Sequence, residues 1–207
     1  MDSSPLKYGI IEGGTSFPHS SEACRPRDLT KSMYMQNNDF DSEIFQSVTH
    51  GTLKANDVIS LIKDFLEDEP SSSYSLVIGT DSHEKNYSGN ENHYINLVTA
   101  IVVHRRGFGG KYFWKRKELT NTHTLREKIY AETFESLDFA LNFVPQLKKK
   151  LNGQSPSYNL EIHIDVGEHG DTRDMIKEVV GIVTGNGFVA KTKPRAYAAS
   201  SVADRHT

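Results

Sequence analysis

The sequence predicts an α/β domain: a five-stranded mixed sheet, three antiparallel strands and then two parallel ones, with flanking helices. Three observations lead there. Segments rich in apolar and β-branched residues at 74–81, 94–105 and 111–119 follow one another without a helix between them, as in an antiparallel meander. Two later strand-like segments, 159–167 and 188–194, are each preceded by a stretch with helical spacing. A length of 207 residues, 36% hydrophobic and 25% charged, suits one globular domain plus a tail rather than two domains.

The elements follow in order. Residues 1–50 mix Ser, Pro, Gly, Asn and Asp without a sustained period and are expected to be irregular or disordered, so the folded domain is placed at 51–207. "ANDVISLIKDFLEDEP" opens it as a helix, with Asn56 as N-cap, Val58, Ile59, Ile62, Phe65 and Leu66 at helical spacing, and Pro70 beyond its end. "YSLVIGTDSH" supplies the first strand, "YINLVTAIVVHR" the second, "RGFGG" a turn and "KYFWKRKEL" the third. A long helix begins at Thr124, a cap with Glu127 three residues on as in a capping box. Leu125, Ile129, Tyr130, Leu137, Ala140, Leu141 and Val144 form its apolar side, and Pro145 should kink or end it. "NLEIHIDVG" is the fourth strand, "DTRDMIKEVVGIVTGNG" a second amphipathic helix closed by Gly185 or Gly187, and "FVAKTKP" the fifth strand. The tail "AYAASSVADRHT" is compatible with helix.

Bulk properties narrow the function. The formal net charge of -3 excludes a globally basic nucleic-acid binder, so any such role must rest on a local patch. Cys24 is the one cysteine, which excludes an intrachain disulfide and zinc sites built on paired cysteines. No signal peptide and no membrane-length apolar run is read, and the expected location is cytoplasmic, with no membrane partner.

The order of elements points to a site. The first and third strands of a meander run the same way, and the fourth, after a helical crossover, runs with them. Packed beside the first strand, it brings two strand ends side by side, about 4.8 Å apart. One end carries Asp81 and the other Asp165. Ligand sites of open α/β sheets lie at such ends, where connections diverge. Two carboxylates that close repel, and a divalent cation with oxygen ligands, Mg²⁺ or Mn²⁺, is the natural relief.

Taken together, "IGTDS", "LVTAIVVHRRGFG", "LREKIYAETFESL", "IHIDVGEHGDT" and "KPRAYAASSVADR" resemble the ribonuclease H-like family of bacterial YkuK-type proteins, from about residue 45 onward. The resemblance implies a ribonuclease H-like fold and four acidic ligands. Asp81 matches the acid ending strand one, Asp165 the acid ending strand four, and Asp204 the late acid. The helical acid is chosen as Glu132, at the flank of the apolar stripe; Glu127 competes as a capping residue, and Glu135 and Asp138 are expected to face solvent. The implied activity is two-metal hydrolysis of a nucleic-acid backbone, RNA or an RNA–DNA hybrid, with two Mg²⁺ or Mn²⁺ ions. Two alternatives stand beside it: a non-catalytic nucleic-acid binder on this fold, and a nucleotide-binding phosphotransferase suggested by "IDVGEHGDT".

Substrate contacts have their own candidates. Arg105, Arg106, Lys111, Lys115, Arg116 and Lys117 are interleaved with Phe108, Tyr112, Phe113 and Trp114, a pattern suited to phosphates and stacked bases. Lys191, Lys193 and Arg195 can assist near Asp204. Structural readings compete with each of these. Asp81 and Asp165 can be turn residues, Asp204 a helix cap, Glu132 a solvated helix residue, and the basic hairpin a charged edge that deters strand pairing. His163 either points to the site or packs, and His83 and His169 are loop residues able to shuttle protons.

Overall fold

The structure, a computed structural model, describes residues 40–85, 94–120, 124–152, 156–167 and 173–207. Strands β1 (Ile44–Ser47) and β2 (Gly51–Lys54) come first. Helix α1 (Ala55–Glu67) leads into strands β3 (Tyr74–Lys85), β4 (Tyr94–Arg105) and β5 (Gly109–Thr120). Helix α2 (Leu125–Leu151), strand β6 (Tyr158–His163), helix α3 (Ile176–Gly185) and strand β7 (Val189–Lys191) follow. The chain closes with a π-helical turn, Ala198–Ala203, and a 3₁₀ turn, Asp204–His206.

The sheet has seven strands in the order β2-β1-β5-β4-β3-β6-β7, not five. The expected meander is present, β3 and β4 pairing antiparallel over their whole length and β4 and β5 likewise. β6 runs parallel to β3, and β7 parallel to β6. The correction lies at the other edge, where the β1–β2 hairpin extends the sheet beyond β5. β1 lies inside the stretch expected to be irregular. Four residues are too few for alternation to stand out, and the turn is marked only by Gly51 at φ +71°. Residues 1–39 of that stretch lie outside the described residues.

α1 starts one residue before the expected cap: Lys54 is the N-cap, and its N–H donates to the Asp57 carboxylate at 3.1 Å. α2 begins as expected, with reciprocal bonds between Thr124 and Glu127. It runs through Pro145 to a left-handed Asn152, so the proline neither ends nor breaks it. Leu125 and Leu141, assigned to its apolar side, are exposed.

The core forms where α1 and α2 cover one face of the sheet. Leu76 and Ile78 of β3, Ile101 and Val103 of β4, and Phe113 of β5 meet Ile62 and Leu66 of α1 and Leu137 and Ala140 of α2. Phe45 on β1 and Phe40 just before it pack on Phe139, with ring centroids 5.7 and 6.0 Å away, which ties the added hairpin to α2. The opposite face is covered by the C-terminal turns. Ala198 packs against Val77 and Val102, and Ala203 against Val98 and Ala100. Among the described residues no helix is long and apolar enough to cross a membrane.

Candidate metal centre

Strand register creates the site. Gly79 of β3 is paired with His163 of β6. Two residues further along each chain lie Asp81 and Asp165, at the same level of neighbouring parallel segments. β6 ends at His163, whereas β3 continues to Lys85, so the stretch of β3 around Asp81 has no ladder partner on that side. The segment after β6 is tied down on both sides of Asp165: Ile164 N–H donates to Lys191 O, and Lys193 N–H to Val166 O, both at 2.9 Å. The resulting cleft, about 200 Å³, is walled by Asp81 and Asp165, by Lys128, Ile129 and Glu132 of α2, and by Lys193.

β3 changes character as it reaches the cleft. Its helix-facing residues run Leu76, Ile78, Thr80, Ser82, from apolar to hydroxyl. Thr80 Oγ1 accepts from Ser136 at 2.8 Å and lies 3.0 Å from Thr99 Oγ1. Ser82 Oγ donates to Glu132 Oε1 at 2.6 Å. This buried polar seam carries Glu132 to the cleft wall. Only 5% of Glu132 is exposed, and burial pushes its carboxyl up to about 8. The Ser82 hydroxyl opposes that rise, Asp81 and Asp165 add to it, and Lys128 lowers it. Asp81 is pushed up to about 6, first by burial; the Ser82 backbone N–H and Lys128 oppose the rise, while Asp165 and Asp204 contribute to it. Asp204 is exposed, on the C-terminal 3₁₀ turn, within electrostatic reach of Asp81.

The fit to a cation can be judged from the donors. Among the described residues, no three His, Cys, Asp or Glu side chains stand close enough together to enclose an ion in their present rotamers. The donor set is nonetheless all carboxylate oxygen, which suits a hard divalent ion. Asp165 Oδ1 is buried and accepts no hydrogen bond among the described residues. Lys193 Nζ sits 3.1 Å from it, an ion pair by distance without hydrogen-bond alignment. That ammonium neutralises the Asp165 carboxylate and would have to withdraw for a cation to reach this oxygen. The donor chemistry suits a hard divalent cation, and the arrangement would hold one only after rotamer changes and withdrawal of Lys193.

The six basic residues expected to contact nucleic acid are mostly committed elsewhere. Lys115 is a correction: it is buried between Glu43 (2.8 Å) and Glu135 (2.9 Å) and presents no charge to a surface. Lys117 pairs with Glu135 at 2.9 Å, Arg105 with Asp68 at 3.1 Å, and Arg116 donates to the His206 carbonyl. Lys111 lies over the Phe65 ring, and Arg106 is exposed. Nor is β5 an edge strand, since β1 pairs with it. Glu135, expected in solvent, is 4% exposed because it answers the two lysines of β5. His163 packs, its Nδ1 accepting the Ala198 N–H at 3.1 Å. His83 is exposed, and His169 lies outside the described residues.

Sequence reasoning missed Lys128 and Ser82. Lys128 stands one helical turn before Glu132, a spacing that puts both on one helix face, and Ser82 is the strand neighbour that must face α2 if Asp81 does not. Lys193 was expected beside Asp204 and instead meets Asp165.

Comparison with known proteins agrees with this architecture. The family model described as ribonuclease H-like matches residues 57–207. The chain is 35% identical over 175 residues to the "uncharacterized protein YkuK" of Bacillus subtilis (strain 168), covering 81% of this chain and 98% of that protein. No solved structure matches. With strands β5-β4-β3-β6-β7 as its frame, Asp81 on β3 and Asp165 just after β6, the chain belongs to the ribonuclease H-like family.

Proposed function

We propose that this protein is a metal-dependent nuclease that hydrolyses phosphodiester bonds of RNA or an RNA–DNA hybrid, with Asp81, Glu132, Asp165 and Asp204 as ligands of two Mg²⁺ or Mn²⁺ ions. The observation that carries this function is the meeting of three carboxyls, Asp81, Glu132 and Asp165, in the wall of one cleft, with Asp204 on the C-terminal turn within electrostatic reach of Asp81. Acids gathered against their own repulsion call for compensating charge, of which Lys193 and Lys128 supply part and a divalent cation would supply the rest. Bound there, divalent cations supply Lewis-acid charge to the scissile phosphate and an acidified water as nucleophile.

The chain's own residues have distinct tasks. Asp81, which interacts electrostatically with Asp165, Asp204 and Glu132, would be the central acid of any cation site here. Ser82 holds Glu132 at the cleft wall through its 2.6 Å hydrogen bond. Lys128, on the cleft wall, offers an ammonium to a substrate phosphate. Glu132 must give up its proton before it serves as a ligand, so cation binding releases protons and tightens as pH rises.

The test is incubation with labelled single-stranded RNA, hybrid and DNA in Mn²⁺, Mg²⁺ or EDTA, beside Asp81→Asn and Asp165→Asn. Cleavage that needs the metal and both acids supports the nuclease. One observation favours a second function, a non-catalytic nucleic-acid binder: the Lys193–Asp165 pair already neutralises part of the acid cluster. Binding without cleavage in every metal would establish that alternative.

A further inference from the structure

Asp204 follows Ala203, which packs on Val98, the β4 partner of Asp81, and so comes within electrostatic reach of Asp81, which it repels. It sits on a single 3₁₀ turn near the end of the described chain, and such turns have little stability of their own. Something must hold it. The residue two positions on, His206, lays its imidazole on the Trp114 indole with ring centroids 3.7 Å apart and planes within 5°. Tyr112 flanks the same ring at 5.7 Å. Neither Trp114 Nε1 nor His206 Nε2 has a hydrogen-bond partner among the described residues, so packing rather than hydrogen bonding joins the rings. Arg116 then clamps the backbone: its Nε and Nη2 donate to the His206 carbonyl at 3.0 and 2.7 Å. On the other side of Asp204, Ala203 is fully buried on Val98 and Ala100.

The sheet register explains why this clamp bears on the acid cleft. Asp81, Val98 and Arg116 are aligned across β3, β4 and β5, so the clamp and Asp81 lie on one sheet face, two strands or about 10 Å apart. We infer that Trp114 and Arg116 are positioning residues: by gripping His206 they hold Asp204 beside Asp81, where it completes a second cation position. This deepens the nuclease function and rests on it for the use of Asp204, though not for the grip itself. It also gives Arg116 and the aromatics of β5 an intramolecular task in place of direct contact with a base or phosphate.

Two measurements on the full chain separate grip from use. Hydrogen exchange of the peptide spanning residues 203–207 reads the grip. Protection is expected in the wild type, lost in Trp114→Ala, Arg116→Ala and His206→Ala, and kept in Trp114→Phe. His206→Ala leaves the sheet intact, which guards against a folding artefact. Equal exchange in wild type and His206→Ala overturns the grip. Mn²⁺ titration followed by electron paramagnetic resonance reads the use, without substrate. Two ions are expected in the wild type and one in Asp204→Asn, with the weaker site loosened about 10–100-fold in Trp114→Ala and His206→Ala and restored in Trp114→Phe. Two undisturbed ions in those alanine variants overturn the positioning role. A wild type that binds no Mn²⁺ while retaining the protection pattern rejects the metal function and leaves the grip standing.

Discussion

Replacing Glu132 by Gln should make the metal-free protein more stable, increasingly so as pH rises. Glu132 is almost fully buried, and its carboxyl is raised from 4.5 to about 8. A carboxyl whose folded value exceeds its unfolded one favours the fold when protonated. That contribution is fully present below pH 4.5 and is lost as pH climbs through about 8. The rise spans about 3.5 pH units, which at about 1.4 kcal/mol per unit sets a ceiling near ~5 kcal/mol. Gln retains the Ser82 donor but must satisfy its own amide, so a net gain of about 1–3 kcal/mol at pH 9 is expected. For a domain of this size that is a Tm increase of about 2–12 °C. Thermal unfolding in EDTA from pH 5 to 9 is the assay: the curves should nearly coincide at pH 5 and separate by pH 9, the variant higher. Saturating Mn²⁺ should reverse the order, since only the wild type gains ligand binding energy. A variant less stable than the wild type at every pH would show Glu132 to be a structural acid and not one held against its own charge.

Asp81→Asn should raise the metal-free Tm above pH 6, because burial and two neighbouring acids push Asp81 up to about 6, and should abolish most Mn²⁺-induced stabilisation. Lys193→Gln removes the ammonium 3.1 Å from Asp165 and should tighten Mn²⁺ several-fold in calorimetric titration; weaker binding would make Lys193 a supporting residue instead of a competitor. Lys115→Ala strands Glu135 in the interior beside Lys117 and should cost about 3–5 kcal/mol in urea unfolding, while the double change Lys115→Met, Glu135→Leu should cost far less.

What could be read from the sequence followed from its periodicities. Three β-rich segments, a long capped helix and a fourth strand make β6 run in the direction of β3, because a helical crossover returns the chain to its starting direction; that the two are neighbours is a condition the sequence leaves open and the structure meets. The level of Asp81 with Asp165 follows from that pairing, each lying two residues beyond the Gly79–His163 pair, although β3 runs on to Lys85 instead of ending at Asp81. The β1–β2 hairpin could not be read, because four-residue strands leave no pattern and β1 holds only by pairing with β5 and by Phe45. Lys115 misled for a related reason. A basic residue in a charged run looks solvated, and only the tertiary meeting of β5, α2 and Glu43 buries it. His206 on Trp114 is likewise a contact between residues 92 positions apart, with no local trace.

A crystal grown with Mn²⁺ and mapped by anomalous scattering asks the central question directly. The expected result is a metal peak between the Asp81 and Asp165 carboxylates, at oxygen distances of roughly 2.0–2.2 Å, with Lys193 swung away from Asp165. A map empty at that position, Lys193 still paired with Asp165 in saturating metal, would contradict the assignment of this cleft as a metal centre.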